Sequence, residues 1–219
     1  MNLDLLTDKT IPVLSPEDSI EKSLSVMDDG KLTGLPVVSG DDYIAFVLED
    51  ALLEHSDPSQ TLSSAGLLTY KPAIGSHAHP FDAITIIHQT ALPLLPVLDS
   101  EHKYSGCITK DNLLGYITNN SGIANPGGIL VLEILPRNYS MYEIARICEN
   151  EDVILLAMHA HTNERGMLEI TMKLNRTVLD GVVASFERHN YHVQEVYGKD
   201  TNNEDIIGKY NLLMNYINM

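Results

Sequence analysis

The side chains that could do chemistry in this 219-residue chain are nine histidines, two cysteines and thirty acids, and their spacing limits what that chemistry can be. His159-Ala-His161 places two imidazoles on one face of a strand, and His77-Ala-His79 places two more in a loop. A zinc site needs three or four ligands in tetrahedral array, and no cysteine or carboxylate completes either pair at short spacing. They read as ordinary surface or pocket histidines. Cys107 lies in an apolar strand and Cys148 on a helix, neither with a CxxC partner, so both are expected to be buried, reduced thiols. The chain holds no GxSxG, GxxxxGK[ST] or HExxH motif. Asp28-Asp29 beside Gly30 and Asp41-Asp42 beside Gly40 have the look of acidic turns. With no nucleophile, base or metal set in view, the expectation is a protein that is not an enzyme.

The elements that carry these residues come in two copies. Residues 12–53 and 72–114 are one unit repeated at an offset of 60, which becomes 61 after a one-residue slip. Pro12 aligns with Pro72, Leu14 with Ile74, Met27 with Ile87, and Leu35-Pro36-Val37-Val38 with Leu95-Pro96-Val97-Leu98. Internal repetition of this kind governs the fold before any local propensity does. Each copy reads as an extended Pro-led stretch, a helix of apolar spacing, a Leu-Pro-Val strand, an acidic turn, a second strand and a closing helix.

Charge divides the chain further. The net charge is −16, which argues against nucleic acid as a partner, because binding a phosphate backbone draws on clustered Lys and Arg. Residues 1–125 hold 17 acids, six lysines and no arginine, whereas all five arginines fall in the remainder. Residues 119–128, with three Asn, three Gly, one Ser and one Pro, lie where the composition shifts and read as a domain boundary. No run approaches the roughly 18 apolar residues of a membrane span, and the acids near the start do not suit a secretory signal. A cytoplasmic location is expected, with no membrane partner. The sequons at Asn119, Asn138 and Asn175 then read as chance matches.

Beyond the boundary the pattern changes to strand, helix, strand, strand, helix, strand. Residues 129–135 form an apolar strand, and Ser140-Met-Tyr-Glu143 is a capping box opening a helix to about residue 150. Residues 153–161 and 167–174 read as strands around a turn at 163–166, a helix follows over 177–190, and 191–197 is a fourth strand. This βαββαβ order is that of a ferredoxin-like unit. In the tail, Ile206, Tyr210, Leu213 and Ile217 make one apolar stripe of an amphipathic helix over 203–219.

Laid out in this way, residues 10–118 resemble a tandem pair of cystathionine-β-synthase (CBS) domains, the Bateman module, and residues 129–198 resemble an ACT domain. The chain as a whole is similar to acetoin-utilisation-type CBS proteins. The resemblance implies an α/β (α+β) fold. Residues 1–122 would form the CBS pair, with repeats at about 10–55 and 68–118, followed by the ACT-like domain at 129–198 and the helix at 203–219.

The same resemblance implies a ligand site. The family motif, Gly-h-h-Thr/Ser-x-x-Asp/Asn with h hydrophobic, is present in the second repeat from Gly106 through Thr109 to Asn112. Gly106 would allow close backbone approach, the Thr109 hydroxyl would donate to a ribose or phosphate oxygen, and Asn112 would hold ribose hydroxyls at a helix N-terminus. Thr109 and Asn112 are equally suited to capping that helix. Tyr70 and Lys71, in the stretch opening the second repeat, are implied to line the same pocket. The first repeat carries Leu48 and Ala51 at the motif's Thr and Asp positions, so its site is expected to be lost. With only Lys71, Lys103 and Lys110 nearby and no arginine fork, adenosine or AMP fits better than ATP. In the ACT-like part Asn138 is the candidate contact for an amino acid, although the family's Asp-x-Pro-Gly loop is replaced by residues 135–140.

The expectation is therefore a regulatory homodimer sensing an adenine nucleotide or adenosine-type ligand, requiring no cofactor and acting on an effector protein of unknown identity. The alternative is a structural or interaction module that dimerises without a small ligand.

Overall fold

The computed structural model describes residues 3–198. The helix expected over 203–219 lies outside them. The chain divides into two units, Met1–Ile117 and Thr118–Met219.

In the first unit each repeat is built the same way. Helix α1 (Ile20–Gly30) starts at Ser19, whose hydroxyl accepts from the Lys22 N–H, and buries Ile20, Ser23 and Met27. It stops at Lys31, which takes a left-handed conformation with φ 51°. Strands β1 (Gly34–Ser39) and β2 (Asp42–Leu48) then pair antiparallel, and the five-residue helix α2 (Glu49–Leu53) closes the copy. The second copy has β3 (Ile74–Gly75), α3 (Pro80–Thr90), β4 (Leu94–Leu98), β5 (Tyr104–Thr109) and α4 (Lys110–Asn120). Its equivalences run to single residues. The α3 helix also ends on a left-handed residue, Ala91 at φ 55°. Ile74 pairs parallel with Val97 as Leu14 does with Val37, and the register slips between Val97 and Leu98 as it does between Val37 and Val38.

The segments leading into the repeats are exchanged. Before α1, Asp8 donates to the Cys107 carbonyl at 2.7 Å and accepts from the Cys107 N–H at 3.0 Å, so the chain start pairs with β5 of the second repeat. Leu3 is fully buried in that repeat's core, a burial worth about 2 kcal/mol. In return, the segment leading into the second repeat lies on the first: Phe46 of β2 donates to the Tyr70 carbonyl at 2.7 Å, and Leu62 is buried with Leu14, Ile20, Met27 and Leu35. Neither repeat has a complete core of its own.

The second unit holds β6 (Ile129–Ile134), α5 (Met141–Asn150), β7 (Leu155–Thr162), β8 (Leu168–Leu174), α6 (Asp180–Arg188) and β9 (His192–Tyr197). The strands form one antiparallel sheet in the order β7-β8-β6-β9, the ferredoxin-like arrangement. Alternation along β8 puts Ile170, Met172 and Leu174 on the side that meets Ile144 and Ile147 of α5 and Val182 and Phe186 of α6. Gly127, at φ 148°, lies so close to the Leu174 carbonyl that a Cβ would stand 1.8 Å from its oxygen, which requires glycine there. The Ser140 hydroxyl caps α5 by accepting from the Glu143 N–H at 3.2 Å. The Glu143 side chain accepts instead from Tyr191 Oη at 2.8 Å, so α5 and the start of β9 are joined by the group expected to reach back to the cap.

Candidate functional site

At the start of α4, Thr109 and Asn112 are bound to each other. Asn112 Oδ1 accepts from Thr109 Oγ1 at 2.6 Å and from the Thr109 N–H at 3.0 Å, while Thr109 Oγ1 accepts from the Asn112 N–H at 3.1 Å. This is a reciprocal capping box, with an amide in the place usually taken by a carboxylate. The two groups expected to hold a ribose are here engaged in helix capping. A ligand hydroxyl arriving at Asn112 Oδ1 would have to share it with two donors or displace one.

Gly106, three residues earlier, is needed for close approach, and the approaching group is protein. Its φ is +137°, and a Cβ there would lie 2.6 Å from Thr7 Cγ2 and 2.8 Å from the Asp8 carbonyl oxygen. The chain start therefore occupies the space over Gly106. Of the lysines near this motif, Lys110 is exposed and Lys103 is ion-paired with Asp42 of the first repeat.

Tyr70 and Lys71 stand elsewhere. Tyr70, 41% exposed, lines a cleft of about 290 Å³ on the first repeat, walled by Phe46, Val47 and Leu48 at the end of β2, Ala51 of α2, and Leu67. Gly106, Thr109 and Asn112 do not line it. Lys71 is exposed beside it. The repeat whose motif is degenerate thus has an open cleft at its strand-to-helix junction, and the lead-in segment forms one wall. The family resemblance implies a place for Tyr70 and Lys71 in the second repeat's pocket, whereas here Tyr70 lines the cleft of the first. The tertiary pairing of Tyr70 with Phe46, the counterpart of Asp8 with Cys107, is what sets Tyr70 on the first repeat.

In the ferredoxin-like unit Asn138 lines a cavity of about 480 Å³ together with Glu133, Leu135, Glu143, Tyr191 and His192. Glu133 is held by Asn163 Nδ2 at 2.9 Å and faces Arg165 at 3.6 Å. Burial, and then the Glu143 carboxylate, push the Tyr191 hydroxyl well above the ordinary tyrosine range, so it stays a proton donor to Glu143.

The remaining candidates reduce to structure. Both cysteines are free and buried. Burial pushes the Cys107 thiol up to about 12 and the Cys148 thiol up to about 11, so neither offers a thiolate at neutral pH. His79 caps α3, its Nδ1 accepting from the Phe81 N–H at 3.2 Å. His161 stands 3.7 Å from Glu169 across the β7–β8 ladder. Among the described residues no group of three or more potential ligands is arranged to hold a metal, and no helix is long and apolar enough to cross a membrane.

Residues 4–57 match the CBS domain family. The match covers the first repeat, and the second repeat is built on the same plan. A CBS domain pair/ACT domain protein from Thermotoga maritima shares 15% identity with it over 54% of this chain and 98% of that one, with a TM-score of 0.50. CBSX2 from Arabidopsis thaliana shares 20% over 54% and 94%, at 0.48. CBSX2 in complex with AMP shares 20% over 54% and 96%, at 0.47. The Thermotoga likeness speaks for the fold alone, and the two looser ones add nothing to it.

Proposed function

We propose that this CBS pair is the sensing half of a non-enzymatic regulatory homodimer that binds one adenosine-type ligand per chain at the second repeat, around Gly106, Thr109 and Asn112. The observation that carries the reading is the exchange of lead-in segments. A ligand at the β5–α4 junction bears on a strand whose other edge holds Thr7 and Asp8, so its binding free energy is coupled to how the two repeats are laced together. With Lys103 committed to Asp42 and no arginine in residues 1–125, adenosine or AMP suits this site better than ATP. In this reading the ferredoxin-like unit is an ACT-type domain that passes the signal to an effector protein, with Asn138 in its own ligand cavity. The mutual bonding of Thr109 and Asn112 favours the second reading, an interaction module with no small ligand.

Titration calorimetry with adenosine, AMP and ATP separates the two. Sensing predicts about one equivalent of adenosine or AMP per chain, weaker binding of ATP, and loss of binding in Thr109→Val/Asn112→Ala while circular dichroism shows the fold retained. Two equal sites per chain, or binding indifferent to that double change, would refute the assignment. The absence of any heat with the wild type supports the interaction module. The dimer is checked by light scattering, which should give twice 24.2 kDa.

A further inference from the structure

The cavity beside Asn138 has acceptors left over and few donors to spare. Its volume is about 480 Å³, and Glu133, Asn138, Glu143, His189 and Tyr191 form much of its polar lining. Two of the donors are committed. Tyr191 Oη donates to Glu143 at 2.8 Å, and His189 Nδ1 lies 2.8 Å from the Ser185 carbonyl. A carbonyl only accepts, so Nδ1 carries the proton and Nε2 of the neutral ring is left as an acceptor. Glu133 Oε1 accepts from Asn163 Nδ2 at 2.9 Å and faces Arg165 at 3.6 Å, while among the described residues nothing donates to Oε2. No buried side-chain oxygen or nitrogen among the described residues lacks a partner, so Glu133 Oε2 and His189 Nε2 are both within reach of solvent. The amides of Asn138 and Asn190 and the ring of His192 can take either role.

Charge is distributed in the same sense. Two carboxylates line the cavity, and among the described residues no Lys or Arg does. Arg165 and Arg146 approach Glu133 and Glu143 from outside it, with side chains 72% and 47% exposed. Met141 and Tyr142, in the first turn of α5 where helix N–H groups could meet an anion, do not line it either. The remaining wall is apolar, made by Ile134, Leu135 and Met167.

We infer that this cavity receives a protonated aliphatic amine, with its ammonium at Glu133 and its carbon chain along Ile134, Leu135 and Met167. The inference rests on the reading, given above, of the cavity as a ligand site, and names what that site takes. An ammonium carries three donors and no acceptor, which suits a wall with acceptors left over, and its bond to a carboxylate is charge-assisted. An amino acid brings the same ammonium with a carboxylate attached. That carboxylate would meet Glu133 and Glu143 with no cation on the wall to receive it, and like charges brought together oppose binding. The loop associated with amino-acid binding in the family, Asp-x-Pro-Gly, is also replaced here by residues 135–140.

Isopentylamine, leucine and 4-methylpentanoate share the leucine side chain and carry, in turn, the ammonium, both charged groups, and the carboxylate. They would be titrated into the full-length chain at neutral pH and followed at the Met167 methyl by NMR. Isopentylamine should give a saturable shift, leucine should bind about tenfold or more weakly, and 4-methylpentanoate should give no shift. Glu133→Gln should weaken isopentylamine binding by about tenfold or more. Because that change also touches Asn163 and Arg165, Leu135→Trp serves as a second variant: it fills the cavity without altering its charge and should abolish the shift. Leucine or 4-methylpentanoate binding as tightly as the amine would overturn the amine class and leave the cavity a ligand site. Amine binding that survives both variants would overturn the placement of the site. A Met167 methyl unmoved by all the probes would remove both the inference and the ligand cavity on which it rests.

Discussion

Helices α2 and α4 begin at equivalent points of the two repeats, yet α4 runs for 11 residues and α2 for five. The difference begins at the cap. Helix α4 opens on Thr109 and Asn112, which satisfy its first free N–H groups, whereas α2 opens on Leu48 with no side-chain cap bond. The same exchange of residues decides what surrounds the junction. In the second repeat the polar pair closes on itself and the chain start lies over Gly106. In the first repeat Leu48 and Ala51 have no such bonds to make, and a cleft remains beside Tyr70. A motif fit for ligand binding and a motif fit for helix capping are therefore the same residues, and which role they serve depends on what else offers them hydrogen bonds.

The largest way to break this comparison is at the glycine. Gly106→Ala forces a Cβ against Thr7 and the Asp8 carbonyl at φ +137°, and should cost about 3 kcal/mol in chemical denaturation. The equivalent change in the first repeat, Ala45→Gly, should cost only about 1 kcal/mol. Equal losses would mean that the chain start is not held over the second repeat as described.

A smaller effect sharpens it. Thr109→Ala should cost about 1 kcal/mol through loss of the α4 cap, and Leu48→Thr with Ala51→Asn should lengthen α2 and recover a fraction of that in stability. If the second site binds adenosine through these residues, the double variant should also raise the calorimetric stoichiometry toward two. Unchanged helicity and stoichiometry would show that the cap does not account for the difference.

The smallest effect is at the other helix start. Asp18 accepts from the Ser15 N–H at 2.8 Å and pairs with Lys22 at 2.5 Å. Burial works to raise its pKa, but these partners outweigh it and hold the carboxyl below its ordinary value of 3.8. Its equivalent in the second repeat is Ala78. A depressed carboxylate pKa adds stability that is present above the unfolded value and lost as pH falls through the folded one. The first repeat should therefore lose stability below about pH 4, and Asp18→Asn should flatten that part of a pH–stability curve measured by thermal melting. An unchanged slope would shift the acid sensitivity to other carboxylates.

The repeat, the two helix-strand-strand-helix units and the βαββαβ order were legible in the sequence because each rests on local periodicity: Ile20, Leu24 and Met27 at helical spacing, and Leu168, Ile170, Met172 and Leu174 at strand spacing. The capping potential of Ser140, Thr109 and Asn112 was legible for the same reason, since a cap bridges three residues. Only the tertiary structure decided that Leu3 completes the second repeat's core and Leu62 the first's, that Tyr70 walls a cleft of the degenerate repeat, and that Glu143 bonds Tyr191 and not its own helix start. These are pairings between groups far apart along the chain. Side-chain pattern states that a strand edge or a carboxylate must be satisfied, and the partner is selected by which distant segment the assembled core brings within reach.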